Sequence, residues 1–250
     1  MVLITIYIVL FQSEEDDRIK VSEDEEVTSM GEIVKITFRI VKNKNMRLHL
    51  LHMYLSFCTM SVGLLVGKTY LLDTLKYNQE KLSYMDLINF PIGLISSVFI
   101  GKYIYDKPSN YYHISSFIIC ITQLICINVL FYNFEALKGP YFDVCLFGIN
   151  LITSLSYRVV SSARMCLANK VSNISIASTQ ITLFNSLGNM MWYIPKIYSY
   201  VIVDYFELYW PNLIGCIINF IILICMYPLA KYLDQLPKEE WIDDEKVKKE

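Results

Sequence analysis

The chain has 250 residues, of which 54% are hydrophobic and 18% charged, with a formal net charge of −2 and a mean hydropathy of +0.39. A soluble domain carries about 25% charged and 45–50% apolar residues. Here long charge-free runs alternate with short polar links, which excludes a soluble enzyme, a disordered chain and a nucleic-acid-binding domain and is the composition of a multi-span membrane protein.

Met1 to Phe11 is apolar but too short to span a bilayer, and it lacks the basic start and small-residue cleavage site of a signal peptide. Glu14, Glu15, Asp16 and Asp17 follow at once. Residues 1–12 are therefore expected to be the end of a transmembrane helix whose beginning is missing; the alternative is an interfacial segment. Residues 13–46 form an acidic cytosolic link. Within it, Ile33, Ile36, Ile40 and Val41 share one helical face while Lys35, Arg39 and Lys42 share another. That pattern predicts an amphipathic helix on an anionic leaflet, or an extension of the next span.

A span needs about 20 mostly apolar residues. Six segments qualify, at 48–67, 86–104, 113–133, 141–163, 176–203 and 210–230. Their short connections predict antiparallel neighbours, and together they make a six-helix transmembrane bundle over residues 47–233. Residues 234–250 are a charged tail, expected to be solvated.

The side of the bilayer bearing residues 13–46, 102–112, 164–175 and 231–250 holds fifteen Lys and Arg, and the opposite links hold only Lys76, Lys81 and Lys138. This bias predicts cytosolic termini. The middle of the chain is net basic and both ends are acidic. A basic membrane region points to an anionic solute or lipid, or simply to cytosolic loops. The seven cysteines lie in or beside apolar runs and read as small core hydrophobes.

Ionisable groups inside the bilayer are expensive, from about 2.5–3.5 kcal/mol each at its centre. Lys68, Asp86 and Asp143 lie close enough to span ends to snorkel. Arg158, deep in the fourth span, and Lys196, one residue after Pro195 in the fifth, do not, and point to a functional cavity or an internal ion pair. Thr182, Asn185, Asn189, Trp192 and Lys196 recur at helical spacing and predict one polar stripe on the fifth span. Such a stripe faces protein or water, because lipid satisfies no amide. It serves either as a solute path, with Trp192 or Tyr193 for stacking, or as interhelical glue. Pro195 is expected to kink the helix. His49, His52 and His113 are too few and too scattered for a metal site, and no cofactor motif or catalytic constellation is present, so neither a metal, a cofactor nor an enzymatic activity is expected.

The stretch KVSNISIASTQITLFNSLGNMMWYIP, Lys170 to Pro195, resembles the segment after the tenth helix of the acetyl-coenzyme A transporter family, a branch of the major facilitator superfamily. The matching positions include Lys170, Val171, Ser172, Thr179, Thr182, Leu183, Asn185, Asn189 and Pro195. PIGLISSVFIGKY, Pro91 to Tyr103, resembles the family's eighth helix, and the stretch from Cys216 through PLAKYLDQL resembles its last. The chain departs from the family at Asn173-Ile174, Ala177-Ser178, Tyr193-Ile194 and Leu65.

The resemblance implies an all-α membrane protein whose six helices form the C-terminal half of a major-facilitator-type transporter, preceded by a partial helix and a cytosolic loop. It implies transport of acetyl-CoA, or a similar CoA-type anion, from cytosol to an organelle lumen, with the endoplasmic reticulum membrane as location. The partners expected are acetyl-CoA as solute, membrane lipid, and a missing N-terminal half or second six-helix bundle. The substrate-binding residues expected are Arg158, Lys196, Thr182, Asn185, Asn189, Trp192 and Tyr193. A carrier of another solute on the same fold, or a non-transporting membrane scaffold, are the alternatives.

Overall fold

The computed structural model describes residues 43–59, 61–171, 177–237 and 240–241. The expected helix end at 1–12, most of the link at 13–46 and the last part of the tail lie outside the described residues. The described chain is helical, and no strand occurs among the described residues. Its helices are α1 (Lys44–Leu55), α2 (Ser61–Asp73), α3 (Gln79–Ile104), α4 (Pro108–Gln123), the short α5 (Phe134–Leu137), α6 (Pro140–Val171), α7 (Ala177–Tyr205) and α8 (Tyr209–Gln235). A π-helical stretch, Leu124–Phe131, continues α4.

Three helical stretches are long and apolar enough to cross a membrane, Pro108–Phe131, Pro140–Lys170 and Tyr209–Gln235. On this ground the chain is a membrane protein. The surface agrees. On α8, Ile214, Ile217, Ile218, Ile221 and Ile224 are exposed at helical spacing, while Asn212, Cys216, Asn219 and Leu223 are buried. A helix with isoleucines outward and asparagines inward suits lipid, where only the interior offers hydrogen-bond partners.

The helix α6 is the hub. It packs against α3, α4 and α7, while α8 closes the other side against α4, α1 and α2. Gly63 permits the close approach of α2 to α8, since a methyl group there would overlap the Asn212 side chain and Ile127.

Two elements depart from plain spans. The expected first span, 48–67, is two helices separated by a turn at residues 56–59. The turn is held by polar partners from elsewhere. Asn219 Nδ2 donates to Ser56 O at 3.0 Å, Thr59 Oγ1 donates to Asn219 Oδ1 at 3.1 Å, and the Tyr198 hydroxyl donates to Cys58 O. Irregular backbone at this depth is stable only when protein supplies such partners. In the π-helical stretch, Asn128 Nδ2 donates to Tyr209 O at 2.8 Å and Asn128 Oδ1 accepts from Asn212 Nδ2 at 2.6 Å, which ties the stretch to the start of α8. Pro195 lies inside α7, which continues through it, and the Ser199 hydroxyl donates to Pro195 O at 2.8 Å.

The first part of the tail differs from the solvated segment expected. Leu236 and Trp241 are buried beside Met46, Leu167 and Phe184. Glu240 O accepts from the side-chain amides of Asn43 and Asn45, both at 3.1 Å. Nearby, the Asp234 carboxylate accepts from Ser109 N and Asn110 N, each at 2.8 Å, and so caps the start of α4. Removing such a cap costs about 0.5–2 kcal/mol. Asp234→Ala is therefore expected to lower the unfolding temperature in detergent, and Asp234→Asn to lower it less. An unchanged melting curve for Asp234→Ala would show that the cap contributes nothing.

Candidate functional site

Of the seven residues of the expected site, the five with described side chains divide into three groups. Asn185 and Asn189, one turn apart on α7, face α6 and are half-buried. Arg164 reaches them from α6: its Nη2 donates to Asn185 Oδ1 at 2.9 Å and its Nη1 donates to Asn189 Oδ1 at 3.3 Å. Gly188 lies between the two asparagines, and a methyl group there would crowd Arg164 Cδ and Nη1, both at 2.9 Å. The small residue lets the guanidinium lie flat across the helix.

Arg158 is elsewhere, between α6 and α3. Its guanidinium packs directly on Gly93, where a Cβ would overlap it. The Gly93 carbonyl accepts from the Ser96 and Ser97 hydroxyls, at 2.9 and 2.8 Å. A carbonyl has two lone pairs, so both are engaged. The Arg158 Nε atom is buried without a partner.

Thr182 and Tyr193 are exposed on α7. The side chains of Trp192 and Lys196 lie outside the described residues. The stripe expected from spacing is thus one helix face only in part: its asparagines turn inward to Arg164, while Thr182 looks outward.

The charge arrangement is the informative feature. The ion pairs among the described residues are Lys68–Asp86 at 3.1 Å, Lys81–Asp143 at 2.6 Å and Lys138–Glu135 at 3.7 Å. Neither Arg158 nor Arg164 takes part in one. Lys68, Asp86 and Asp143, expected to snorkel at span ends, are in addition paired across helices, and the Lys68 and Asp86 side chains are more than half exposed. Tyr77 donates to Asp143 Oδ1 at 2.8 Å; burial, then the neighbouring carboxylate, pushes the Tyr77 phenol up from its ordinary value.

No family model matches the chain, and neither does any curated protein or solved structure. The site therefore rests on its own chemistry. A guanidinium held by neutral amides keeps its full charge, and its fork is aligned in advance for a carboxylate or phosphate.

Sequence reasoning counted Arg164 among cytosolic loop cations and so missed it as the stripe's partner. The signal was present: Tyr157 and Arg164 are seven residues apart, two helical turns, on the face of α6 that also bears Asn150. The histidines also differ from the scattered set expected. His52 Nε2 and His113 Nδ1 lie 3.2 Å apart, with stacked rings, and His49 is buried a turn away. A small cavity of about 20 Å³ lies between His49, Met53, Phe184 and Arg164.

Proposed function

We propose that the bundle carries an organic anion across the membrane, acetyl-CoA or a similar CoA ester, and that it does so by alternating access. One observation carries this reading: two arginines inside the bundle have no carboxylate partner among the described residues. An unneutralised charge in a bilayer costs at least about 2.5–3.5 kcal/mol. An anionic solute supplies the missing countercharge. The phosphates of a CoA ester would take Arg164, already oriented by Asn185 and Asn189, and Arg158 on Gly93. The exposed Tyr193 offers a ring face for adenine. In this scheme the six-helix unit works against a second bundle, both termini face the cytosol, and the solute moves into an organelle lumen, with the endoplasmic reticulum as the proposed membrane.

The test is uptake of labelled acetyl-CoA by proteoliposomes containing the full-length protein. Uptake above that of empty liposomes is expected, with competition by unlabelled CoA but not by pantetheine, which has no phosphate. Uptake equal to the empty control would sink the proposal. Equal competition by unrelated anions would make the solute something other than a CoA ester.

A further inference from the structure

The bundle holds a second polar region, further along the same face of α6. There α2, α3, α4 and α6 enclose a cavity of about 180 Å³. At roughly 30 Å³ per water it has room for about six waters, and hence for part of a larger solute. Its polar lining is Lys68, Asp86, Gln123, Asn150, Thr153 and Tyr157; the rest is glycine, Cys126 and aliphatic or aromatic side chains.

The chemistry of this lining is neutral. Lys68 Nζ and Asp86 Oδ2, 3.1 Å apart, cancel each other's charge, and both side chains are more than half exposed, at 62% and 56%. Gln123 and Asn150 bring amides, each able to donate and accept. Thr153 and Tyr157 bring hydroxyls, and Thr153 Oγ1 already donates to Thr122 Oγ1 at 3.0 Å. One turn past Asp86 on α3, Asn89 is buried with its Oδ1 unpartnered. The surroundings favour a ligand segment that is uncharged, elongated and rich in amides, with apolar methylene between them.

The order of groups along α6 then becomes informative. Asn150, Tyr157 and Arg164 follow at intervals of seven residues, so they share one face. Asn150 and Arg164 are separated by roughly 21 Å of helix rise. One end of this face is cationic, the other neutral and hydrogen-bonding. A CoA ester has the same order: anionic phosphates, then a long uncharged arm with two amides and an acylated thiol at its tip.

We infer that this cavity is the chamber for the uncharged, amide-bearing arm of the solute, with the phosphates on Arg164 and Arg158. The inference rests on the anion-carrier reading. Asn150 and Gln123 pair with the arm's amides, Tyr157 lines the chamber at the end nearer Arg164 along α6, and Lys68–Asp86 closes the outer mouth. An exposed pair of this kind is worth only about 0.2–1 kcal/mol, so it opens readily.

The experiment compares two ligands on the full-length protein in proteoliposomes. One is labelled acetyl-CoA; the other is adenosine 3′,5′-bisphosphate, which has phosphates and adenine but no arm, used as a competitor. Asn150→Leu and Gln123→Leu are expected to raise the KM for acetyl-CoA about tenfold each and to leave the inhibition constant of the bisphosphate unchanged. Arg164→Gln is expected to raise both. Asn150→Ser, a smaller change with a hydrogen-bonding group retained, gives the same comparison if the leucine variants fold poorly. Equal shifts for both ligands in the Asn150 and Gln123 variants, or no shift for either, overturn the inference and leave the carrier reading in place. Absence of acetyl-CoA uptake by the wild type overturns both.

Discussion

Arg164→Gln is expected to abolish most acetyl-CoA uptake, by about a hundredfold in kcat/KM, while leaving the protein folded. The guanidinium makes two hydrogen bonds, to Asn185 and Asn189 across the α6–α7 contact. Glutamine removes the charge and is also shorter, its amide nitrogen lying where Arg164 Nε makes no bond, but it keeps a polar amide in the α6–α7 contact. A charge-assisted hydrogen bond contributes about 1.5–3 kcal/mol. Loss of two such bonds to a phosphate therefore corresponds to at least about 3 kcal/mol, or roughly two decades or more. Arg164→Lys separates charge from geometry, because an ammonium keeps the charge but lacks the planar fork. It is expected to recover a small part of the activity. Arg164→Ala removes both and leaves the asparagine oxygens without their donor, so it is expected to lose stability as well as transport. Melting curves and uptake measured on the same preparations separate the two effects. If Arg164→Gln transports at the wild-type rate, the charge at this position has no part in recognition.

Charge-free runs locate helices well, since a long apolar stretch bounded by polar links has few other ways to satisfy its backbone. Each expected span falls mostly on helix among the described residues, and three of the six, Pro108–Phe131, Pro140–Lys170 and Tyr209–Gln235, are long and apolar enough to cross a membrane. The turn at residues 56–59 was not legible for a physical reason. Its partners, Asn219 and Tyr198, are more than a hundred residues away in sequence. The π-helical stretch is similar, because it depends on Asn128 reaching Tyr209 and Asn212. Local composition around Cys58 or Leu124 carries no trace of either.

The site was legible by residue type and not by partnership. Intramembrane cost singled out Arg158, and spacing singled out Asn185 and Asn189. Arg164 was masked by its place near the expected end of a span at residue 163, whereas α6 runs on to Val171. Lys68 and Asp86 read as two residues near span ends, and their pairing across α2 and α3 was not legible because it leaves no periodic mark. His52 and His113 are 61 residues apart and meet only in the folded bundle. Gly93 gave the least warning of all, since a glycine in a span is ordinary until the side chain opposite it is known.

That glycine supports the second large effect. Gly93→Ala is expected to destabilise the protein by about 0–2 kcal/mol, the roughly 1–3 kcal/mol of forcing extra volume into a packed contact less about 1 kcal/mol of helix propensity gained by alanine. The added methyl would overlap the Arg158 guanidinium, so the arginine must leave its seat on α3. The Gly93 carbonyl is occupied by Ser96 and Ser97 and offers it no compensating bond. In an Arg158→Ala background the same substitution is expected to be neutral or slightly stabilising. The collision is then gone, and alanine is the better helix former by about 1 kcal/mol. A double-mutant cycle on melting in detergent should therefore give a coupling of at least about 1 kcal/mol, above the scatter of roughly 0.3–0.5 kcal/mol for independent sites. Uptake follows the same logic: Gly93→Ala is expected to reduce it as far as Arg158→Ala does, and the double variant no further. A coupling near zero would place Arg158 away from Gly93 in the working protein and remove it from the anion site.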